Sequence, residues 1–482
     1  MDNTKKIPDV QKTMEVAEKV ELKRELGLIG ATSFVIGNVI GSGIFISPKG
    51  VLAATGSVAL CLLVWLIAGI VSLGSALCYA ELGTIIHKSG GTYTYLQKGV
   101  GNFLAFVYVL QTVFIQNAGS IIIMLLTFSK YVMSMLPVCG SPVYLEKFIT
   151  ALAILTLILV TSYSTRLASH IVVVTTVGKL VALVIIIAGG TVAMCQGTTS
   201  ELGSGFSGTS NDPSALALAL YSAMWATSGG ENITTIVEEV KNPSKNIPRS
   251  LIIGLTVVII IYMLTNLSYL AVLSRAEMLG APAVAVTFAA RTLGPLATLV
   301  PFAVMVSTLG ASNGSVIGGS RVAFSAGRDG NLPHVLSYIH VHQLTPLSAV
   351  LLTAVMAMAM LFPADVESVI DYLGFLGAFM NICVFLAFLR FRLWTMKDVK
   401  RPIKVPLVIP ILMLLVNVYL FIAPLVISPQ LKYVFGAATL LGISVLLYLP
   451  FIHLRLKLPY FDTLVTWYQL ICQVSPPPDW QD

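Results

Sequence analysis

Long apolar segments separated by short polar connections repeat along most of the chain. Twelve segments are visible, at about 27–48, 57–82, 102–128, 146–163, 170–196, 214–237, 250–273, 294–320, 346–362, 369–390, 405–427 and 433–454. A helix that crosses a bilayer needs about 20 mostly apolar residues, and most of these segments reach that length. They are too long for strands and lack the alternation of a membrane barrel. The pattern predicts an all-α polytopic membrane protein with 12 transmembrane helices.

The composition agrees with a membrane protein. Of the 482 residues, 56% are hydrophobic and 11% are charged, whereas a soluble domain carries roughly 25% charged residues. A soluble enzyme, a secreted disulfide scaffold and a disordered chain are therefore excluded. The 29 Lys and Arg against 22 Asp and Glu give a net charge of +7. Because the basic residues lie between apolar segments, they indicate membrane topology and not a nucleic-acid partner.

The basic residues also predict the orientation of the chain. The segment 1–26 and the connections that follow even-numbered spans are richer in Lys and Arg than the other connections. The positive-inside rule then places both termini in the cytosol. Cys139 falls in an outer connection, on the oxidising side of the membrane. A lone outer cysteine indicates an intermolecular disulfide, and an unpaired thiol is the alternative.

Two spans are interrupted by small residues. The first span contains GNVIGSGIF at 37–45, and the sixth contains WATSGGEN at 225–232. Glycine destabilises a helix interior by about 1 kcal/mol relative to alanine, and broken backbone at membrane depth occurs only where it lines a cavity or is buried in protein. For the first span alone, a close helix contact through Gly37 and Gly41 is the alternative.

The spacing of the two interruptions favours a transporter. They lie five spans apart, and corresponding breaks in two halves of a membrane protein point to a transport site. We therefore expect two five-helix inverted repeats followed by two further helices. The predicted organisation is a cytosolic tail, two repeats, helices 11 and 12, and a second cytosolic tail, at 1–26, 27–197, 213–392, 405–454 and 455–482.

The chemistry of two such breaks suits a zwitterion. The freed amides of Gly41, Ser42 and Gly43 can donate to a carboxylate, helped by the amino-terminal end of a half-helix. The freed carbonyls of 225–228 can accept from an ammonium group. An amino acid presents both groups, so the pattern predicts an amino-acid site.

Lys179 lies inside the fifth apolar segment. An intramembrane lysine is rare and costly, which indicates a function such as a fixed cation that bridges the first and eighth spans in place of a sodium ion. The alternative is a lysine that snorkels to the inner interface. Zinc-ligand spacing, phosphate-binding loops and nucleophile motifs are absent from the sequence, so we predict no metal, no cofactor and no catalytic residue.

Several motifs support a family resemblance that extends over about residues 20–475. They are IGSGIF followed by SPK at 40–49, AELG at 80–83 with KSGG at 88–91, EE and NP at 238–243, AGRDG at 326–330 and RPIKVP at 401–406. The chain resembles the light subunits of heteromeric amino-acid transporters in the amino acid–polyamine–organocation superfamily. It looks most similar to the branch that exchanges cystine and cationic amino acids and to an aromatic-preferring sibling of that branch.

The resemblance implies a LeuT-like fold with broken helices 1 and 6 and sodium-independent exchange at the plasma membrane. It implies a disulfide from Cys139 to a single-span glycoprotein heavy chain. An apical epithelial location and a pairing of two heterodimers stay open. Trp225 falls on the family's aromatic gate, and Lys179 falls on its fifth-span lysine. The expected substrate-binding residues are Val39, Ile40, Gly41, Ser42, Gly43, Trp225, Ala226, Thr227, Ser228, Ala378 and Asn381.

Departures from the branch predict the substrate. Ser228 stands where the cationic branch has an aspartate, so a basic side chain would be desolvated without a partner. Thr227, Gly230 and Ala378 replace larger aromatic residues. We therefore expect neutral substrates with large or aromatic side chains and poor transport of cationic ones.

Two other functions compete with an exchanger. The altered stretch 227–231 is compatible with a non-transporting scaffold or chaperone for a heavy chain. An ion-coupled amino-acid symporter is the second alternative, although Lys179 argues against a sodium ion at its position. An enzyme is disfavoured because no catalytic constellation is visible.

Overall fold

The computed structural model describes residues 26–86, 91–136, 142–163, 165–197, 201–343, 345–362, 365–426, 431–454, 456 and 461–476. Within those ranges, the side chains at 165–173, 235–239, 296, 431–433 and 461–462 are outside the description. The predicted disulfide residue Cys139 also lies outside the described residues.

The described chain is almost entirely helical. Its α-helices are α1 Leu28–Val39, α2 Gly43–Thr55, α3 Val58–Ile85, α4 Thr92–Gly99, α5 Asn102–Leu110, α6 Asn117–Met135, α7 Val143–Tyr163, α8 Thr165–Cys195, α9 Pro213–Thr227, α10 Pro243–Val272, α11 Arg275–Gly280, α12 Val284–Thr292, α13 Leu299–Arg328, α14 Leu347–Leu361, α15 Val366–Arg390, α16 Val408–Val426, α17 Leu431–Leu447 and α18 Phe461–Cys472.

Shorter elements connect or extend these helices. Wider π-helical turns occupy Gln111–Gln116, Phe391–Thr395 and Tyr448–His453, and 3-10 turns occupy Leu202–Ser204, Gly230–Glu239, Gly294–Thr298 and His334–Ser337. Strands β1 Ile339–His340 and β2 Val474–Ser475 pair antiparallel.

The helical membrane class is confirmed, and each predicted apolar segment coincides with helix. Among the described residues, 9 helices are long and apolar enough to cross a membrane, or 10 if α1 and α2 count as one span. α14 is shorter, and the sixth span divides into α9 and the 3-10 turn Gly230–Glu239. Twelve crossings and the inverted repeat stay predictions.

The boundaries differ from the sequence prediction where local signals compete. α2 continues through Pro48 to Thr55, past the predicted end at residue 48, although an interior proline removes one helical hydrogen bond and crowds the carbonyl four residues earlier. The helix stops at Gly56, whose φ of +71° is the left-handed cap that favours glycine. The short helix α11 was not predicted, although a capping box between Ser274 and Glu277 marks its start.

Two motifs that are far apart in sequence meet at Glu81, which is fully buried on α3. Its carboxylate accepts from Arg392 Nη1, from Arg401 Nη1 at 2.7 Å and from the Val405 N–H at 2.7 Å. The AELG motif is thereby joined to the RPIKVP motif between α15 and α16. Three donors on one buried carboxylate satisfy a charge that would be costly if it were left unpaired.

The carboxyl-terminal segment folds back onto the molecule. Ile339 pairs with Ser475 and His340 with Val474, and the Tyr468 hydroxyl on α18 lies 3.0 Å from Ser348 Oγ on α14. The described part of the predicted tail is therefore attached to the connection between α13 and α14.

Candidate functional site

The first span is broken between α1 and α2, whose axes differ by 49°. The Ile40 N–H donates to Ile36 O and closes α1, and the Gly41 N–H donates to Val39 O at 2.8 Å. α2 begins at Gly43 with Ser42 as its cap residue. The first N–H groups of α2 have no carbonyl partner within their own helix, so they form a positive end that can bind an anion.

The sixth span is broken after Thr227. The Ser228 N–H donates to Met224 O at 2.8 Å and ends α9. Gly229 then takes a φ of +106°, a conformation that L side chains rarely adopt. Its N–H donates to Glu231 Oε2 at 3.1 Å. The chain continues as the 3-10 turn Gly230–Glu239.

The structure brings the two breaks together. A Cβ added to Gly43 would lie 2.5 Å from Ala226 Cα. The backbones of α2 and α9 are therefore in contact at this point, and a side chain at position 43 would clash with α9. A Cβ on Gly229 would lie 3.3 Å from Asn38 O. Each break therefore contacts the half-helix of the other.

Tyr262 of α10 joins the breaks through one hydroxyl. Its Oη lies 3.0 Å from Val39 O and 3.0 Å from Ala226 O. A phenol carries one proton, so it donates to one of these carbonyls at a time. The ring is buried and packs edge-on against Trp65, with ring centroids 5.8 Å apart. Sequence reasoning missed Tyr262 because nothing in the local pattern of α10 distinguishes it from a core tyrosine.

The hydroxyl groups of the two breaks have different environments. Ser42 is 1% exposed, and within the described part of the chain its Oγ has no hydrogen-bond partner. A buried hydroxyl without a partner costs about 1–3 kcal/mol, which a ligand could offset. The Thr227 hydroxyl is already bonded, to Ser72 Oγ at 2.8 Å and to Ala223 O at 3.1 Å. Thr227 therefore faces α3 and contributes backbone at most.

The residues of the two breaks differ in exposure. Asn38 and Ser228 are exposed, and both lie on the side of α1. Ile40, Ser42 and Ala226 are buried. These three residues lie at the contact of α2 with α9 or next to it.

Lys179 does not snorkel. It is 5% exposed, and its Nζ donates to Gly37 O at 2.6 Å. The ammonium group thus binds the last turns of α1, one turn before the break. The expected bond to the eighth span is not among the hydrogen bonds of the described residues, although α8 packs along α13. Ser307 of α13 has a buried Oγ that is also without a partner in the described chain.

The remaining predicted residues lie around the breaks. Trp225 is half-buried and packs on the apolar cluster that includes Ile121 and Leu373. Ala378 of α15 is buried in the same cluster as Ile40 and Ala226. Asn381, one turn further along α15, accepts from the Tyr79 hydroxyl at 3.2 Å.

Glu231 is a carboxylate at the break that the sequence prediction left out of the site. It is half-buried, holds the Gly229 N–H, and lies close enough to Tyr79 and Tyr108 to interact with them electrostatically. Its position three residues after Ser228 was the available signal, because an ionisable residue inside a span is functional by default. Across the described residues, no group of three or more His, Cys, Asp or Glu could hold a metal ion.

Paired helix breaks in a helical membrane protein define a transporter class, and the comparisons agree. The sequence profile described as amino acid permease matches residues 26–447. The chain belongs to this family. It is an amino-acid transporter, and neither the family nor the relatives below are enzymes.

Three relatives show the branch. The b(0,+)-type amino acid transporter 1 of Homo sapiens is 38% identical over 459 residues, which cover 95% of this chain and 94% of the relative. The cystine/glutamate transporter of Homo sapiens is 40% identical, covering 82% and 79%. The large neutral amino acids transporter small subunit 2 of Mus musculus is 38% identical, covering 88% and 81%. The resemblance to light subunits is confirmed.

We predict that Tyr262→Phe lowers the rate of amino-acid transport several-fold. The substitution removes the hydroxyl that joins the breaks and keeps the ring against Trp65. The lost hydrogen bond should lower the free energy of unfolding by only about 1 kcal/mol. Labelled amino-acid uptake in proteoliposomes and thermal unfolding in detergent measure the two effects.

Tyr468→Phe is the matched control for this prediction. It also removes one phenolic hydrogen bond, to Ser348 at the edge of the molecule, and should leave uptake unchanged. Unaltered transport in Tyr262→Phe would show that the bridge has no part in the transport cycle.

Proposed function

We propose that this chain is a sodium-independent exchanger of neutral amino acids with large or aromatic side chains. The observation that carries the proposal is the meeting of the two breaks, where the free end of α2 and the unpartnered Ser42 hydroxyl face the end of α9. A carboxylate would receive the N–H groups of Gly43 and Ile44 and the Ser42 hydroxyl. These are groups that a buried site must pair with something.

The ammonium group of the substrate would bind the carbonyls at the end of α9. Trp225 O already accepts from Ser228 Oγ at 3.1 Å, and Ala226 O lies beside the Tyr262 hydroxyl. A carbonyl oxygen has two lone pairs, so each can accept one further hydrogen bond. Tyr262 would then turn towards Val39 O when the substrate binds. The hydroxyl thereby couples substrate binding to the relative position of α1 and α9.

The proposed preference for substrates with large neutral side chains rests on fewer residues of the chain than the sequence suggested. Thr227 is directed to α3, and a Cβ on Gly230 would lie 3.2 Å from Leu255 of α10, so their small size does not widen the breaks directly. Ser228 is exposed beside them, and Ala378 is a small residue in the adjoining core. These two positions support a neutral pocket that admits a bulky group.

Lys179 supports transport without sodium. Its ammonium group occupies the space next to Gly37 O, where a bound cation would otherwise stabilise the carbonyl ends of α1. Because the amine is covalently attached to the chain, a sodium gradient can neither supply nor remove it. The bound amino acid would then stabilise the closed intermediate, so that return without cargo is slow and exchange is obligatory.

Uptake without sodium tests the proposal. Proteoliposomes are either preloaded with neutral amino acids or left empty, and labelled tyrosine and arginine are supplied outside. We expect tyrosine to enter only preloaded vesicles and arginine to enter at least about tenfold more slowly, since an unpaired buried charge costs more than the 1.4 kcal/mol that corresponds to tenfold. Equal entry of both would contradict the substrate preference, and entry into empty vesicles would contradict exchange.

Gly43→Ala separates a transporter from a scaffold in the same assay. The added methyl group would meet the Ala226 backbone, whereas a methyl group in Gly314→Ala on α13 meets nothing within 4 Å. Transport should be lost in the first variant and kept in the second, with both still able to bind a heavy chain. Wild-type protein that binds the heavy chain without transporting any amino acid would favour the scaffold.

We propose in addition that the chain works in the plasma membrane as the light subunit of a disulfide-linked heterodimer, with both termini cytosolic. The support is the light-subunit relationship together with the position of Cys139 in a predicted outer loop. Cys139→Ser should abolish the heterodimer band on a non-reducing gel while Cys472→Ser should keep it. A band that survives in Cys139→Ser would contradict the linkage.

Glu231 favours a second candidate function, proton-coupled transport. Its carboxylate lies in the sixth-span break with the Gly229 N–H as a partner and Tyr79 and Tyr108 nearby. Carboxylates inside spans serve as proton relays in pumps and transporters. The side chain can therefore carry a proton across if it faces each side of the membrane in turn.

An imposed proton gradient decides between the two candidates. If transport is proton-coupled, a gradient that is acidic outside should stimulate tyrosine uptake by empty vesicles, and Glu231→Gln should abolish the stimulation. Glu201→Gln is the control, because Glu201 forms a partly exposed pair with Arg275 at 3.7 Å, away from the breaks. Wild-type uptake that ignores the gradient would eliminate the second candidate.

A further inference from the structure

Helix α18 follows the last candidate span of the described chain. That span runs from Val434 to His453, and only the segment 454–460 separates it from the start of α18 at Phe461. Each extended residue covers at most about 3.6 Å, so α18 begins within about 30 Å of the end of the span. This short connection keeps the helix near the membrane surface at which the span ends.

Two contacts hold α18 against the start of α14. The Tyr468 hydroxyl donates to Ser348 Oγ at 3.0 Å, in the first turn of that apolar helix. Val474, just after α18, pairs with His340 in the connection that leads into α14. Under the predicted topology, α14 enters the membrane on the side where α17 leaves it. The contacts with α14 and the connection from α17 therefore both place α18 at the level of one membrane surface.

The side chains of α18 form three faces around its axis, on which successive residues are about 100° apart. The face towards the protein consists of four partly buried residues, Val465, Tyr468, Gln469 and Cys472. Leu464, Trp467 and Ile471 are exposed, and they fall within about 60° of one another on a second face. We call this second group the apolar face of α18. The third side carries the exposed Thr463 and Leu470.

The apolar face has the composition of a surface that enters the interface of a bilayer. Two aliphatic side chains flank a tryptophan, whose ring has an apolar body and a polar N–H and is enriched where hydrocarbon meets head groups. The connection from α17 carries Arg455 and Lys457, and such basic residues beside an amphipathic helix attract anionic lipids. Lipid therefore fits both the apolar residues and the charges that precede them.

We propose that α18 is an interfacial helix whose apolar face is covered by the lipid of the same membrane that the spans cross. Leu464, Trp467 and Ile471 enter the boundary between head groups and acyl chains, about 5–10 Å deep, while Tyr468 stays bound to Ser348. The lipid thereby helps to keep the carboxyl-terminal segment attached to the connection between α13 and α14. The inference needs only the membrane-protein class, so a failure of the exchange proposal would leave it standing.

Fluorescence quenching by brominated phosphatidylcholine tests the contact with lipid. The full-length protein is reconstituted into vesicles whose lipid carries bromine either near the head group or near the end of the acyl chain. The difference in emission between the wild type and Trp467→Phe gives the signal of Trp467. We expect bromine near the head group to lower this signal at least about twofold, because an interfacial helix inserts only about 5–10 Å. Bromine at the chain end and iodide in the water should each have a smaller effect.

Two other results would assign the apolar face to a different partner. Quenching of Trp467 by iodide and not by brominated lipid would show that the face lies in water. Quenching by neither would show that protein covers it, for example a second copy of this chain. Either result would overturn the proposal.

Leu464→Asp and Leu470→Asp form a matched pair of variants. The two leucines are 66% and 69% exposed on the same helix, but Leu470 lies about 20° from Thr463 around the axis, outside the apolar face. Each variant is compared with its own Trp467→Phe version. Leu464→Asp should reduce lipid quenching of Trp467 at least about twofold, since a carboxylate is costly in hydrocarbon, and Leu470→Asp should leave it unchanged. Unchanged quenching in Leu464→Asp, or an equal loss in both variants, would contradict insertion of this face.

Discussion

The structure around the two breaks depends on which groups form hydrogen bonds with the backbone N–H and C=O groups that lose their helical partners inside a membrane. Hydrocarbon offers no hydrogen bonds, so each break must find partners within the protein or at a water-lined cavity. Tyr262 supplies one proton to the carbonyls of Val39 and Ala226, and Lys179 supplies another donor at Gly37. The Ser42 hydroxyl, at the amino end of α2, receives no such partner in the described chain. The protein has therefore satisfied the carbonyls more fully than the donors, which leaves a site biased towards an anion.

The same contact that holds the breaks together also makes the structure asymmetric. Gly43 against Ala226 allows no gap between α2 and α9, while Asn38 and Ser228 on the side of α1 are exposed. The contact between the two helices continues beyond this pair, since a Cβ on Gly50 of α2 would lie 3.1 Å from Ser222 Oγ of α9. The tightly bonded parts lie elsewhere, at the Glu81 cluster that joins α3 to the segment before α16.

The parts that the sequence predicted are those with short-range signals. Glycine clusters located both breaks, and apolar length located the spans. The placement of Thr227 and Gly230 could not be predicted, because it depends on how α9 and the turn that follows it pack against α3 and α10. Tyr262 belongs to α10, which is distant in sequence from the first break that it contacts. Only the packing of the helices reveals which of them meet, and one sequence carries no information on such pairs.

Ser228 and Glu231 together determine whether a carboxylate at the sixth-span break is available to pair with a basic substrate. A carboxylate at position 228 would face the exposed side directly and could pair with a basic substrate. Glu231 lies three residues further on, and its carboxylate already accepts from the Gly229 N–H. The positive φ of Gly229 directs its N–H towards the Glu231 carboxylate. The hydrogen bond from this N–H in turn holds the carboxylate in place. Under the proposed function, a cationic substrate that drew Glu231 away would remove the acceptor of the Gly229 N–H, so a neutral side chain would suit this break better.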